Sequence, residues 1–181
     1  MGPRKTRKRF EHKNELRFLT FSCYRRLALY NNPNIRARFV QQIRDIQLAT
    51  RFQLVAWVIM PEHIHLLLMP QFPDHPIDIV LDKMKGPFAK EVLARWRELN
   101  APILPRVMDS AGKYHFWQVG GGYDRNIFSR EEAEEKFHYI HHNPVKRQLV
   151  KRAVDWRWSS ARWYEYGDDD WGLQMSPDLI V

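Results

Sequence analysis

Two histidines separated by one residue are the first feature of this 181-residue chain that indicates chemistry. His63, Ile64 and His65 lie in an apolar run that is typical of a β-strand. Because side chains alternate between the two faces of a strand, both imidazoles should lie on one face and Ile64 on the other. Two imidazoles in this arrangement can bind one metal ion, although paired histidines also occur as hydrogen-bonded residues of a core.

A tyrosine and an asparagine four residues apart are the second candidate. Tyr139 and Asn143 lie in a segment with helical signals, so they should share one face of a helix. An asparagine side-chain carbonyl is a suitable ligand for a divalent ion. His63, His65 and Asn143 can therefore form a three-ligand site that leaves positions open for phosphate oxygens and water. By ligand type alone, two imidazoles favour Mn²⁺ or Zn²⁺.

The elements that must position these residues follow from hydrophobic periodicity and turn signals. A capping box at Ser129 and Glu132 begins the last helix, and Pro144 should end it at Asn143. The glycines at 120–122 should end the last strand. The predicted order is a strand (16–25), a helix from Pro33, two strands (52–60 and 63–69), a helix (77–99) broken or kinked at Gly86 and Pro87, a strand (114–119) and the final helix. This order predicts an α+β, ferredoxin-like fold, a split βαβ antiparallel sheet with an added C-terminal helix.

Basic residues are concentrated in the first third of the chain. Residues 1–51 contain 13 of the 29 Lys and Arg residues but only 3 of the 21 Asp and Glu residues. The densest block, residues 4–9, is typical either of a segment that binds nucleic-acid phosphates or of a solvated tail. The same two alternatives apply to two lysines of the 77–99 helix. These candidate DNA-binding residues are Arg4, Lys5, Arg7, Lys8, Arg9, Lys85 and Lys90. We expect a basic tail (1–14), one domain (15–165) and an acidic tail (166–181).

Composition also excludes several classes of protein. The single cysteine, Cys23, excludes an internal disulfide framework and a cysteine-based zinc site. No apolar run is long enough to span a membrane, and the charged N-terminus does not match a secretion signal. A protein without a membrane partner, in a reducing cytoplasm, is therefore expected.

Four motifs in order along the chain carry a family resemblance. They are Met60-Pro-Glu-His-Ile-His-Leu-Leu, Phe116-Trp-Gln, Tyr139-Ile-His-His-Asn-Pro-Val-Lys and Trp158-Ser-Ser-Ala. From about the first strand to Tyr164 the chain resembles the single-tyrosine HUH transposases of the IS200/IS605 type, and among them the REP-associated tyrosine transposases. The chain departs from that family at Gln148, where a glycine usually precedes Leu-Val.

The resemblance implies a function for the candidate residues. Tyr139 would be the nucleophile of a DNA strand transferase, and His63, His65 and Asn143 would hold Mg²⁺ or Mn²⁺. The implied partner is single-stranded DNA with hairpins, such as REP-like palindromes, in a bacterial cytoplasm and associated with the nucleoid. The protein would be a monomer or a homodimer. No nucleotide cofactor is needed, because the phosphotyrosine retains the bond energy.

Several alternatives remain open from the sequence. Glu62 can orient an imidazole or occupy a turn, and His138 or His142 can accept the phenol proton. Tyr123 is a second candidate nucleophile, although it has no polar partner on a helical face. A DNA-binding protein of the same fold without transposition activity is the main functional alternative. A structural-metal or RNA-binding ferredoxin-like domain would not explain Tyr139 and Asn143.

Overall fold

A four-stranded antiparallel sheet is the centre of the computed structural model, which describes residues 15–120, 122–168 and 170–180. The basic block at 4–9 lies outside the described residues. The strands are ordered β2-β3-β1-β4, and with α1, α2 and α4 they form the predicted ferredoxin-like fold with an added helix. The elements are β1 (Leu16–Ser22), α1 (Pro33–Thr50), β2 (Gln53–Ile59), β3 (His63–Met69), α2 (Ile77–Glu98), α3 (Leu104–Val107), β4 (Tyr123–Ile127), α4 (Arg130–Lys146) and α5 (Ala161–Tyr166). None of the described helices is long and apolar enough to cross a membrane.

Both faces of the sheet are buried, and strand alternation decides which residues each face presents. Leu19, Phe21 and Ile64 belong to a core that includes apolar residues of α1 and α2. Phe18 and Leu67 belong to a second core, which includes apolar residues of α4. The first core holds the even-numbered residues of β3, so the histidines of that strand face the α4 side, as the sequence predicted.

The strand predicted at 114–119 is wrong. The observed strand β4 spans Tyr123–Ile127, and the predicted segment makes only isolated bridges, including Cys23 with Trp117. The two segments lie along the same edge of β1, with Gly120 and Gly122 between them. Phe116 is fully buried among aromatic rings, so the apolar character that indicated a strand belongs to the core around it.

Prolines interrupt the helices less than predicted. Helix α2 runs from Ile77 to Glu98 without a break at Pro87. Proline has no amide hydrogen, so the carbonyl of Lys83 loses its helical donor. The buried side chain of Gln42 on α1 donates to that carbonyl at 3.0 Å and replaces the missing bond.

Two predicted element ends also need correction. Helix α4 continues past Asn143 and Pro144 to Lys146, so Asn143 lies inside the helix and not at its end. Strand β1 ends at Ser22, before the predicted Arg25, which adopts a left-handed conformation (φ 52°). The start of α4 is as predicted, because the hydroxyl of Ser129 accepts a hydrogen bond from the amide of Glu132 at 3.1 Å.

The outer edge of β2 is covered by the last part of the chain. The amide of Ile59 donates to the Trp158 carbonyl at 2.8 Å, and the amide of Ser176 donates to the Leu54 carbonyl at 2.8 Å. The hydroxyl of Ser160 accepts from the amide of Trp57 at 3.0 Å. Residues of the segment predicted as an acidic tail therefore pack against the sheet. These contacts satisfy backbone groups that an edge strand would otherwise leave unpaired.

Candidate active site

The two histidines of β3 lie opposite β1 on the face covered by α4. Cross-strand pairing places His65 opposite Thr20 and His63 opposite Ser22. The Nε2 atoms of the two imidazoles are 3.0 Å apart. Their Nδ1 atoms point to separate partners, 2.7 Å from Thr20 Oγ1 for His65 and 3.1 Å from Glu62 Oε1 for His63.

These partners select the tautomer of each ring. A carboxylate can only accept, so His63 Nδ1 carries the proton that it donates to Glu62. The amide nitrogen of Asn143 lies 3.1 Å from His65 Nε2, and that ring nitrogen therefore accepts. His65 Nδ1 must then carry its proton and donate it to Thr20. Both Nε2 atoms are then unprotonated and lie close together, as two imidazole ligands of one ion would.

The spacing of the two nitrogens is compatible with one shared ion. Two unprotonated ring nitrogens 3.0 Å apart cannot hydrogen-bond to each other, whereas one cation could bind both. Among the described residues no group of three or more His, Cys, Asp or Glu is arranged to hold a metal, which leaves Asn143 as the third candidate ligand.

Burial keeps both imidazoles neutral. It lowers the pKa of His65 to about 3, with a smaller contribution from His63. Burial also lowers the pKa of His63, and the positive charges of Arg147 and Arg26 act in the same direction, against the opposing effect of Glu62. A neutral imidazole is the form that binds a metal, so the site holds both rings in their ligand form.

Tyr139 lies beside the histidine pair in the same chain. The centre of its ring is 5.2 Å from that of His65 and 5.9 Å from that of Phe18, and its side chain is 40% exposed. Asn143 lies one helical turn further along α4 and is buried. A cavity of about 370 Å³ opens beside these residues, and its lining includes Phe18, Thr20, Arg26, His63, His65, Tyr123, Tyr139, Asn143 and Arg147.

A chain of polar contacts connects the end of α4 to the histidine strand. Arg147 Nη1 lies 2.9 Å from Glu62 Oε1, the same oxygen that accepts from His63. Glu62 is buried, whereas the Arg147 side chain remains half exposed toward the cavity. Glu62 therefore orients His63 and is itself held by Arg147, so it does more than occupy a turn.

Other predicted residues lie elsewhere. His138 and His142 are exposed on α4 and do not line this cavity. Lys85 lines a neighbouring cavity, and Lys90 is exposed on α2 and lines neither. The basic block at 4–9 cannot be placed, because it lies outside the described residues.

The structure adds five residues that sequence reasoning did not single out for the site: Phe18, Thr20, Ser22, Arg26 and Arg147. Thr20 and Arg26 come to the histidines only through strand pairing and the turn after β1. No local sequence pattern pointed to these residues.

Comparisons with known proteins agree on the family. A REP-associated tyrosine transposase of Haemophilus influenzae is 28% identical over 133 residues, which cover 72% of this chain and 71% of the relative. One of Escherichia coli is 26% identical over 110 residues, 60% of this chain and 54% of the relative, so the chain spans about half of that protein.

A solved structure shows the same fold. It is described as a REP-associated tyrosine transposase bound to a REP hairpin. The superposition covers 91% of this chain and 87% of that structure, with a TM-score of 0.67 and 22% sequence identity. The family model described as "Transposase IS200 like" matches residues 11–143, a range that contains His63, His65, Tyr139 and Asn143. This protein therefore belongs to the IS200-like transposase family.

Proposed function

We propose that the chain cleaves and rejoins single-stranded, hairpin-containing DNA through a covalent intermediate on Tyr139. The observation that supports this most directly is the position of the Tyr139 ring, 5.2 Å from the His65 ring and one helical turn from Asn143. A nucleophile and a potential cation site thus border one open cavity within a single chain. A binding protein without chemistry would not require this combination.

In the proposed reaction the phenolic oxygen of Tyr139 attacks the scissile phosphorus. A bond forms between that oxygen and phosphorus, the bond from phosphorus to the 3′ oxygen breaks, and the 3′ end leaves as a hydroxyl. The phenol proton is lost and the leaving 3′ oxygen gains one, so protons balance. Attack by a 3′ hydroxyl on the phosphotyrosine reverses these changes and rejoins the strand without a nucleotide cofactor.

His63, His65 and Asn143 are proposed to hold Mg²⁺ or Mn²⁺. When bound, such an ion would polarise the phosphate and stabilise its developing negative charge. Rotation of the Asn143 amide exchanges its nitrogen and oxygen and gives the site an oxygen ligand. Thr20 and Glu62 keep the two ring nitrogens in the ligand tautomer. Arg26 and Arg147 border the cavity and add positive charge where a phosphate would lie.

Hairpin DNA is proposed as the partner. The support comes from the relatives named as REP-associated tyrosine transposases and from the similar structure described as bound to a REP hairpin. Such a substrate would place the protein with the nucleoid in a bacterial cytoplasm. Whether one chain or two act on a hairpin is a separate question, but Tyr139 and the histidines need no second chain to meet.

The test uses a labelled hairpin oligonucleotide with unpaired flanks, incubated with the protein and Mg²⁺ or Mn²⁺. We expect a covalent adduct that survives denaturing electrophoresis, and we expect Tyr139→Phe to abolish it while hairpin affinity stays within several-fold. Only the nucleophilic oxygen is lost in that variant. His63→Ala and His65→Ala should remove metal-dependent cleavage without unfolding the protein.

Tyr123→Phe is the matched control, because Tyr123 lines the same cavity. Its adduct should persist. If Tyr123→Phe abolishes the adduct and Tyr139→Phe does not, the nucleophile is Tyr123. If wild type binds the hairpin but forms no adduct with either metal, the chain is a DNA-binding protein of this fold.

A further inference from the structure

Two consecutive arginines after β1 adopt a backbone conformation that side chains disfavour. Arg25 and Arg26 both have a φ of 52°, in the left-handed region. Glycine occupies this region freely, whereas residues with a Cβ atom visit it rarely and usually as single residues. This arginine turn (Arg25 and Arg26) is therefore held against the preference of its own residues. Strained backbone that the surrounding structure maintains is concentrated at functional sites.

The arginine turn sends its two side chains to different places. The guanidinium of Arg25 lies over the ring of Tyr24, at 4.9 Å from the ring centre. The side chain of Arg26 lines the active-site cavity beside the histidines. Among the described residues no carboxylate lines that cavity, and none pairs with Arg26. The guanidinium of Arg26 is thus available to an anion that enters the cavity.

The Phe116-Trp-Gln motif holds the arginine turn from its outer side. Its backbone pairs with the chain around the end of β1, because the amide of Tyr24 donates to the Phe116 carbonyl at 2.8 Å and the amide of Gln118 donates to the Ser22 carbonyl at 2.9 Å. The side-chain oxygen of Gln118 accepts a hydrogen bond from the amide of Arg25 at 2.9 Å. This last bond fixes the first left-handed residue to the motif.

The other two residues of the motif anchor it to the rest of the fold. Phe116 is fully buried, and its ring contacts Tyr30 and Phe88 of the core. The indole nitrogen of Trp117 donates to the Lys85 carbonyl of α2 at 2.9 Å. Gln118 therefore extends from a fixed backbone, and its side chain is a firm support for the turn.

We propose that Gln118 is a positioning residue, which maintains the arginine turn so that Arg26 binds one phosphate of the DNA strand at Tyr139. The inference rests on the proposed function, because it takes that strand as the source of the phosphate. The other guanidinium of the cavity, that of Arg147, is already paired with Glu62 at 2.9 Å. A guanidinium forms charge-assisted hydrogen bonds with phosphate oxygens, and their geometry requires that the group be well placed.

The experiment measures how the contribution of each phosphate depends on Arg26. All proteins carry Tyr139→Phe, so binding is measured without cleavage. The probe is a fluorescein-labelled REP hairpin with unpaired flanks, and fluorescence anisotropy gives its affinity. Neutral methylphosphonate replaces one flank phosphate at a time. We expect one linkage at which this replacement weakens binding about tenfold in the protein with Arg26 and has no effect in Arg26→Gln.

Lys90→Gln is the matched control for Arg26→Gln. Lys90 is exposed on α2 and does not line the active-site cavity. Its replacement removes one positive charge as Arg26→Gln does, but leaves the cavity unchanged. The effect of methylphosphonate at the identified linkage should therefore persist in Lys90→Gln.

The role of Gln118 is tested at the same linkage. Gln118→Leu removes the acceptor of the Arg25 amide and should remove most of the methylphosphonate effect. Arg25→Gly added to Gln118→Leu should restore it, because glycine adopts the left-handed conformation without support. Arg25→Gly alone should keep the effect. Gln118 is exposed, so these variants should fold, and circular dichroism with thermal unfolding establishes that they do.

Three results would each overturn the inference. They are the absence of any linkage that depends on Arg26, a full methylphosphonate effect in folded Gln118→Leu, and failure of Arg25→Gly to restore the effect. Adduct formation by the wild-type protein is scored separately. An adduct without a linkage that depends on Arg26 refutes only the phosphate assignment, whereas such a linkage without an adduct supports the assignment and refutes the strand transfer.

Discussion

In the proposed site, the orientation of each imidazole depends on one acceptor behind it. Thr20 accepts from His65 Nδ1, and Glu62 accepts from His63 Nδ1. Loss of such an acceptor lets the ring rotate or adopt the other tautomer, with a proton on the nitrogen that should bind the ion. In the proposed metal site, these two contacts would determine whether the buried histidine pair can act as ligands.

Replacement of Thr20 by valine should weaken Mn²⁺ binding by about 10- to 100-fold while the fold persists. Valine keeps the shape and the strand preference of threonine but cannot accept a hydrogen bond. Isothermal titration with Mn²⁺, in the absence of DNA, measures the effect directly. Thr20→Ser keeps the hydroxyl and should recover most of the affinity. Equal Mn²⁺ affinity in wild type and Thr20→Val would mean that His65 is oriented by its surroundings alone.

Local spacing explains which site residues could be predicted from the sequence. His63 and His65 are related by strand alternation, and Tyr139 and Asn143 by one helical turn, so each pair could be predicted from its own segment. Thr20 could not, because its contact with His65 spans 45 residues and exists only through the register of β1 and β3. A lone threonine in a strand has no pattern that distinguishes it.

The end of α4 has an unusual residue in a common motif. The amide of Leu149 donates to the Pro144 carbonyl at 2.9 Å, and the amide of Gln148 donates to the Val145 carbonyl at 2.8 Å. This pattern is a Schellman motif, whose left-handed position is usually glycine. Here that position is Gln148 (φ 57°).

Gln148→Gly should stabilise the protein by about 0.5–1 kcal/mol. A side chain in the left-handed region costs about 1–2 kcal/mol, and the greater flexibility of glycine in the unfolded chain offsets part of the gain. Urea unfolding followed by circular dichroism gives the free energy of unfolding. Gln148→Ala keeps the Cβ atom, so its free energy of unfolding should rise little. A glycine variant no more stable than the alanine variant would show that the turn tolerates Gln148 without strain.

The prediction of the fourth strand failed because the apolar segment and the hydrogen-bonded strand are different parts of the chain. The segment 114–119 is apolar because it fills the core, whereas β4 is polar and pairs with β1 through backbone groups. Periodicity cannot detect a short polar strand whose partner lies about a hundred residues away. The long, strongly apolar strand β3, in contrast, has the predicted bounds.

Charge is separated along the chain. The net charge is +8; the first 51 residues carry a net charge of +10 and the remaining residues one of −2. The cavity beside the histidines adds Arg26 and Arg147, so a phosphate bound there would meet positive charge.

Deletion of residues 1–9 should reduce the salt dependence of hairpin binding. Each lost phosphate contact lowers the slope of log affinity against log salt by about 0.7 on single strands. Loss of five contacts should therefore lower the slope by at most about 3.5. Affinity measured over a range of KCl concentrations tests this. The undeleted chain with the five basic residues of this block changed to glutamine should show the same slope as the deletion. These residues are Arg4, Lys5, Arg7, Lys8 and Arg9. An unchanged slope would identify a solvated extension, and loss of binding to one hairpin sequence only would indicate base contacts.

Substitution of Gly122 should be restricted by its contact with the strand that carries Thr20. A Cβ atom at Gly122 would overlap the carbonyl of Thr20, whose hydroxyl orients His65. Any substitution there must move the strand that carries Thr20, so drift at Gly122 should be as restricted as drift at the histidines themselves. Gly86, with open space around it, should vary freely by comparison. Saturation mutagenesis with a transposition readout should therefore find that Gly122, which has no side chain, tolerates no substitution.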